Sequence, residues 1–571
     1  MSNRLNARDA RQFSQQSQPM LESLESRLLL SGNVTAIVRG GDLIITGDNV
    51  ANDIVIDQAG LAAGEIRVSS GADATTINKA DGPLLLTGFT RDVRVTLKGG
   101  DDVLLVSGVT VARSMAINGG LGNNTMTLET VAVTKNLGIT DSTGADTLTL
   151  TGLTVNGSAT ISNGSGDTSI TIDSAAVTGN LKITNSTGAD TLTATGLVVD
   201  GNATISNGVG DTSITIDPAT VKGNLKITNS TGTDTLIATG LVVNGNATFS
   251  NGSGITQATL ASPTVGKNFS LTTRNGSDTV IITSAVVADN MLIDTGRDNG
   301  TVTLNGTTTV ITPPPDEGTP TVDEGATTVV EPSTVGGNLT IKASTGSDSF
   351  SMSDTTVTGN LMLNHSTGDS AVTIDPATIN GMVSLKSTTG FGNIHVRGAT
   401  IGDDLVISHS TGGTSVLVEP GSVNASTIGG DMRFSANSGT DSVKLLGTTI
   451  AGKTTLSTGL SSDVLRIDNS TFGAALVMST GAGNDAIQIE SNGDPVGLIS
   501  TFQGAVSANT SAGEDSIVIG LPAQAGNAAT FESTVRLDGG SGANDVLNAL
   551  SSEIDNVFAI TPVMRNLETE A

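Results

Sequence analysis

Aspartates recur at a fixed interval along this chain, and of all its residues they have the most chemistry to offer. Asp102, Asp146, Asp190, Asp234 and Asp278 are each 44 residues after the last, and Asp348, Asp441, Asp463 and Asp485 take the same place in later repeats. Asp167, Asp211 and Asp369 stand one place earlier in intervening repeats. A column of carboxylates roughly 5 Å apart repels by about 1 kcal/mol per neighbour even in water. Such a column either holds divalent cations, faces open solvent, or has each carboxylate accept local turn N–H groups.

Two other residue types offer less. Asn136, Asn180, Asn202, Asn224, Asn246, Asn268, Asn290, Asn338 and Asn360 each open a repeat, and this spacing predicts a stacked amide ladder in which each side chain donates to the coil above. The three histidines, His365, His395 and His409, fall at different places in their repeats. His395 sits between Ile394 and Val396 and so points outward. His365 and His409 share a place but are two repeats apart, roughly 10 Å, too far for one metal ion or a shared hydrogen bond.

The element that positions all of these is a 22-residue repeat. NLGITDSTGADTLTLTGLTVNG from Asn136, NLKITNSTGADTLTATGLVVDG from Asn180 and NLKITNSTGTDTLIATGLVVNG from Asn224 are successive odd copies. Between them lie SATISNGSGDTSITIDSAAVTG from Ser158 and NATISNGVGDTSITIDPATVKG from Asn202. Within one copy Leu181, Ile183, Leu192, Ala194 and Val199 alternate with Lys182, Thr184, Thr193 and Val198. Alternation with period two marks short strands with one face inward. Gly188 and Gly201 fall between the strands, where positive φ would let the chain turn the same way each time. Three strands and three corners close one coil, which buries its apolar face only by stacking on the next.

Large and small residues alternate between coils at one inward place: Leu137, Ala159, Leu181, Ala203, Leu225, Ala247. The phase reverses at another, with Ile172, Ala194, Ile216 and Ala238, so volume given up at one wall is regained at the other. The expected fold class is all-β, a single elongated parallel β-helix (β-solenoid) of about 22 residues per coil with irregular caps. About seventeen regular coils would make a rod on the order of 80 Å long.

The corner sequences STGADTLTL, NGSDTVI, GAGNDAIQI and GGSGANDVL resemble the RTX nonapeptide GGxGxDxUx, whose turns bind calcium in a β-roll. That resemblance implies Ca2+ at Asp102, Asp146, Asp190, Asp234, Asp278 and Asp485. Near the N-terminus, Leu24, Glu25, Arg27, Leu29 and Leu30 resemble the LEPR-XLL motif of large repeat-bearing proteins of planctomycete bacteria, with Ser26 in place of the motif's proline. This second resemblance implies export or surface sorting.

Composition narrows the function. The 571 residues carry 27 Lys and Arg against 55 Asp and Glu, a net charge of −28, with no Cys, Trp or Tyr. Disulfide and thiol chemistry are thereby excluded, and the acidity argues against nucleic acid or an anionic membrane as partner. No apolar run approaches the ~18 residues of a membrane-spanning helix.

The expected organisation is a polar export or sorting segment (1–32), an N-terminal β cap (33–91), regular coils (92–311) and an acidic Pro-rich insertion loop (312–337). Coils then continue (338–500), followed by longer-period coils and a C-terminal cap (501–571). The expected function is a non-catalytic exported surface protein, a structural or adhesive rod, extracellular or at the cell surface. Its expected partners are surface glycans, other surface proteins or copies of itself. The alternatives are a calcium-binding RTX-like secreted protein and a β-helix polysaccharide-processing enzyme similar to pectate lyases. The last lacks the aromatic platforms of a sugar cleft, with only 11 Phe in the whole chain.

Overall fold

A computed structural model describes residues 32–72, 75–311, 327–491, 499–520, 528–542, 544–548 and 556–569. Every repeat supplies one strand to each of three parallel sheets. In the coil that opens at Asn180 the strands are Leu181–Thr184, Asp190–Thr195 and Leu197–Val199. Each lies in parallel register with the same position one repeat on: Leu181 with Ala203, Asp190 with Thr212, Leu197 with Ala219.

The file Leu137, Ala159, Leu181, Ala203, Leu225, Ala247 consists of successive register partners, and every member is buried. The chain is therefore a β-solenoid whose interior is a narrow column of Leu, Ile, Val and Ala. Toward the C-terminal end the inward place of the third sheet passes to Phe472, Phe502, Phe531 and Phe558. Their rings stack with centroids 5.1, 4.7 and 4.8 Å apart, close to the rise between strands.

The two glycine corners arise from different causes. At the second corner, Gly144, Gly166, Gly188, Gly210 and Gly232 have φ between 130° and 143°. A Cβ on Gly188 would lie 2.1 Å from the carbonyl oxygen of Gly166 one coil before. Gly201, expected to share that positive φ, does not. It is required for space alone, since its Cβ would stand 2.5 Å from both the Gly179 carbonyl oxygen and Asn180 Oδ1.

Departures from the 22-residue step occur where the spacing places them. Met291 pairs with Leu339, Leu405 with Met432 and Leu476 with Val506. The insertion begins earlier than 312, and residues 312–326 of the expected acidic Pro-rich loop lie outside the described residues. Thr307–Ile311 and Thr327–Glu331 pair as an antiparallel hairpin, because TTTVI and TTVVE are both strand-forming runs of Thr, Val and Ile. Ser333–Val335 is already back in the third sheet beside Val286 and Val287.

At the N-terminal end, Asp42–Thr46 and Asp53–Asp57 lie parallel on Val93–Thr96 and Val103–Ser107. Antiparallel strands then run alongside them: Asn33–Arg39 pairs with Asp42–Thr46, and Glu65–Ser70 with Asp53–Asp57. Such reversals interrupt the regular edge that would otherwise template another chain. The LEPR-XLL-like residues Leu24 to Leu30 lie outside the described residues.

Candidate functional site

Period-two alternation decides where the aspartates point. Asp190, Leu192 and Ala194 lie two residues apart on one strand and all three are buried. The side chain therefore enters the interior at the second corner. Asp102, Asp146, Asp234, Asp278 and Asp485 do likewise, each at most 4% exposed. Of the three alternatives for the column, open solvent is thereby removed. In the N-terminal half the charge is also diluted, because Asn124, Thr168, Thr212 and Thr256 occupy the same place in alternate coils and are buried with it.

These carboxylates do not cap their own turns. Each reaches across to the preceding coil: Asp102 Oδ1 accepts the Asn52 N–H at 2.7 Å, Asp146 Oδ1 that of Asn124 at 2.9 Å and Asp278 Oδ1 that of Thr256 at 2.8 Å. In the C-terminal half the same link runs through consecutive coils from Asp441 to Asp545, at 2.8–3.0 Å. Oδ2 of Asp102, Asp441, Asp463, Asp485 and Asp515 is buried with no hydrogen-bond partner among the described residues. Burial pushes Asp102, Asp190, Asp234 and Asp463 up to about 6. Asp146, Asp278, Asp485 and Asp515 are raised for the same reason.

Across the corner runs a second inward column that sequence reasoning missed. Asn163, Asn185, Asn207 and Asn229 are buried, and each Nδ2 donates to the next Oδ1 at 2.8, 2.9 and 2.8 Å. The series continues to Asn251 at 3.2 Å. Two-residue spacing behind Leu181 and Ile183 was the signal for Asn185. One coil before the ladder this place holds Asp141, buried beside Asn124, whose Nδ2 donates to Asp141 Oδ1 at 3.0 Å. Burial, reinforced by the charge of Asp146, pushes Asp141 up to about 7.

Two of the histidines join these columns. His365 follows Leu361 and Leu363 on the inward face, and His409 follows Leu405 and Ile407. His365 Nε2 lies 3.0 Å from Asp348 Oδ2, and its Nδ1 is 3.3 Å from Ser387 Oγ. His409 Nε2 lies 3.2 Å from Asp441 Oδ1, with neither side chain exposed. The two imidazoles do not meet, but each finds a carboxylate in a neighbouring coil. His395 points outward and pairs with Glu419 at 2.9 Å.

The asparagines that open the repeats form the exposed ladder the spacing predicts, with its direction reversed. Asn180 Oδ1 accepts the N–H of Asn202 at 2.8 Å, and Asn224 Nδ2 donates back to Asn202 Oδ1 at 3.1 Å. Side-chain amides thus donate toward the preceding coil.

Comparison with known proteins finds no family model, no curated protein and no solved structure that matches this chain.

The geometry itself then decides what the columns can do. Calcium takes six to eight oxygens at 2.3–2.6 Å. In the C-terminal half successive coils each offer a single free carboxylate oxygen, roughly 4.8 Å from the next. In the N-terminal half the aspartates stand only in alternate coils. Among the described residues no group of three or more His, Cys, Asp or Glu is placed to hold a metal ion. The six aspartates that the RTX resemblance singles out therefore do not fit a calcium shell. What the columns do is tie one coil to the next.

Proposed function

We propose that this chain is a non-catalytic structural rod that works outside the cell, spacing or coating at the cell surface. One observation carries the reading: buried polar side chains, between Asp102 and Asp545 and from Asn163 to Asn229, connect coil to coil. Two of the three histidines, His365 and His409, are enclosed in the wall. A solenoid built this way resists shear between coils, because each step adds side-chain hydrogen bonds to the backbone ladders. The LEPR-XLL resemblance supports export, and the net charge of −28 suits a solvated, non-aggregating surface.

Small-angle scattering on the purified chain tests the shape, and protease shaving of intact cells tests the location. A compact particle, or a chain protected in intact cells and released only by lysis, would refute the reading.

A further inference from the structure

Outward positions on the second sheet carry both signs of charge, Glu129, Asp173 and Glu419 beside Arg397, Lys444 and Arg466. Outward positions on the first sheet include Lys182, Lys226, Lys342, Lys386 and Arg433, with hydroxyls and Asp294 between them. The register fixes their spacing. Lys182 and Lys226 flank Thr204, and Lys342 and Lys386 flank Asn364. Each pair is thus two coils, roughly 10 Å, apart. Arg433 is two coils beyond Lys386, after Val406 and Ser408.

At Arg433 this face is also concave. A depression of about 540 Å³ is lined by Val406, Ser408, Arg433, Ser435, Lys453 and Thr455 together with the carboxylates Asp404 and Asp431. That volume lies within the range of small-ligand sites. One oxygen of each carboxylate is engaged by the backbone: Asp404 Oδ1 accepts the Asp431 N–H and Asp431 Oδ1 the Lys453 N–H, both at 2.7 Å. Ion pairs of this stretch lie on the second sheet, where Arg397 meets Asp375 and Arg466 meets Asp468. Among the described residues none engages Lys386, Arg433 or Lys453, although all three are exposed.

We infer that this depression and the cations leading to it bind a carboxylated polysaccharide lying along the rod axis. Arg433 offers a planar fork that matches a carboxylate, and Lys386 and Lys453 act as point charges on either side. Ser408, Ser435 and Thr455 donate to and accept from sugar hydroxyls. A duplex nucleic acid is the poorer fit, because the chain's net charge of −28 repels an extended, densely charged phosphate backbone. The inference goes beyond the rod reading, since a rod with no ligand at this face would keep its shape and place.

The test uses the full purified chain with polygalacturonate, neutral dextran and duplex DNA as probes, in low salt. Retention by polygalacturonate, weakened about tenfold in a Lys386→Gln/Arg433→Gln/Lys453→Gln variant, is expected. A Lys182→Gln/Lys226→Gln variant, altered on the same face but outside the depression, should keep most of the binding. Unchanged binding by the triple variant, equal binding to neutral dextran, preference for DNA, or no binding to polygalacturonate would each overturn the inference. The substituted residues are exposed, so circular dichroism and melting of the variants should match the parent. A rod-shaped particle that binds none of the probes would sink this inference while leaving the structural reading intact.

Discussion

Asp463 Oδ1 accepts the backbone N–H of Asp441 at 2.8 Å, and the N–H of Asp463 passes in turn to Asp485 Oδ1 at 2.8 Å. Parallel strands leave such N–H groups needing an acceptor where the ladder meets a corner, and an unpaired buried one is costly. A carboxylate one coil along supplies that acceptor. The consequence is a line of acids in a dry wall, each with one oxygen satisfied and the other not.

Stability should therefore fall as pH rises. Burial holds Asp102, Asp190, Asp234 and Asp463 at about 6 and Asp141 at about 7, against about 3.9 in an unfolded chain. Folding takes up protons wherever the folded value is the higher one. The stabilisation is complete below about pH 4 and is lost as pH passes through 6 and 7. Thermal melting between pH 4 and 8 should show a midpoint that drops with pH. Asp141→Asn, which keeps the shape and removes the charge, should flatten the part of the curve between pH 6 and 8. A midpoint that climbs over the same interval would contradict the burial of these groups.

Glycines at the second corner should be far less replaceable than glycines in the strands. Gly188 has φ 140° and a backbone oxygen 2.1 Å from where a Cβ would stand. Gly188→Ala should cost on the order of 1–3 kcal/mol from the backbone conformation, with the contact adding to it. Gly138 lies within a strand, and nothing stands within 4 Å of its Cβ position. Gly138→Ala should therefore change stability by less than about 1 kcal/mol, in the favourable direction. Urea unfolding midpoints of the two variants decide the matter, and equal losses would count against the corner geometry.

Much of the fold was legible because the repeat is nearly free of noise. Once Leu137, Ala159 and Leu181 are spaced by 22, one parallel register follows and the whole stack with it. The polar interior was less legible, although the same alternation encodes it. Asp190 has the parity of Leu192, and His365 that of Leu363, yet an Asp beside a Gly reads as a turn and a lone His as surface. What overrides those defaults is contact between coils: Asn207 is tolerable inside only because Asn185 and Asn229 stand next to it. Such partners are 22 residues away and belong to no local motif. The hairpin flanks at 307–311 and 327–331 were obscured by the prolines between them.

Removing one rung of the buried amide ladder should be costly. Asn207→Ala leaves Asn185 Nδ2 without its acceptor at 2.9 Å and Asn229 Oδ1 without its donor at 2.8 Å. Each orphaned buried group costs about 1–3 kcal/mol, so a total of about 2–6 kcal/mol is expected in chemical denaturation. The exposed rung Asn202→Ala should cost less than about 1 kcal/mol, since water replaces its partners. Equal effects at the two positions would mean that the inner ladder is hydrated.

Calcium should leave the rod unchanged. Asp102, Asp146, Asp190, Asp234, Asp278 and Asp485 turn inward, and among the described residues no three His, Cys, Asp or Glu side chains come together to hold a metal ion. Ligands that bind only the folded state raise the melting midpoint with concentration, by about 2.7 kcal/mol at a hundredfold excess over Kd. The expected result is the same midpoint in millimolar calcium and in chelator. A midpoint that climbs with calcium would show that the corners rearrange to expose these carboxylates.

Volume compensation within one coil gives the most direct test of the core. The coil with Leu181 carries Ala194 at its opposite wall, whereas the next coil carries Ala203 and Ile216, and all four are buried. Leu181 and Ala194 also line one small internal void of about 20 Å³, so they share space without being adjacent in sequence. Leu181→Ala alone should cost about 2–5 kcal/mol through the cavity it leaves. Ala194→Ile alone fills that void and then overpacks, at a cost of up to about 3 kcal/mol. Combined, the two should cost less than their sum by about 0.5–3 kcal/mol, because the branched side chain at 194 enters the room vacated at 181. The recovery must be incomplete, since Leu181→Ala removes the one large side chain between Ala159 and Ala203 and so breaks the large-small alternation of the file. Strict additivity of the two losses would mean that the walls pack independently, and the alternation between coils would then need another cause.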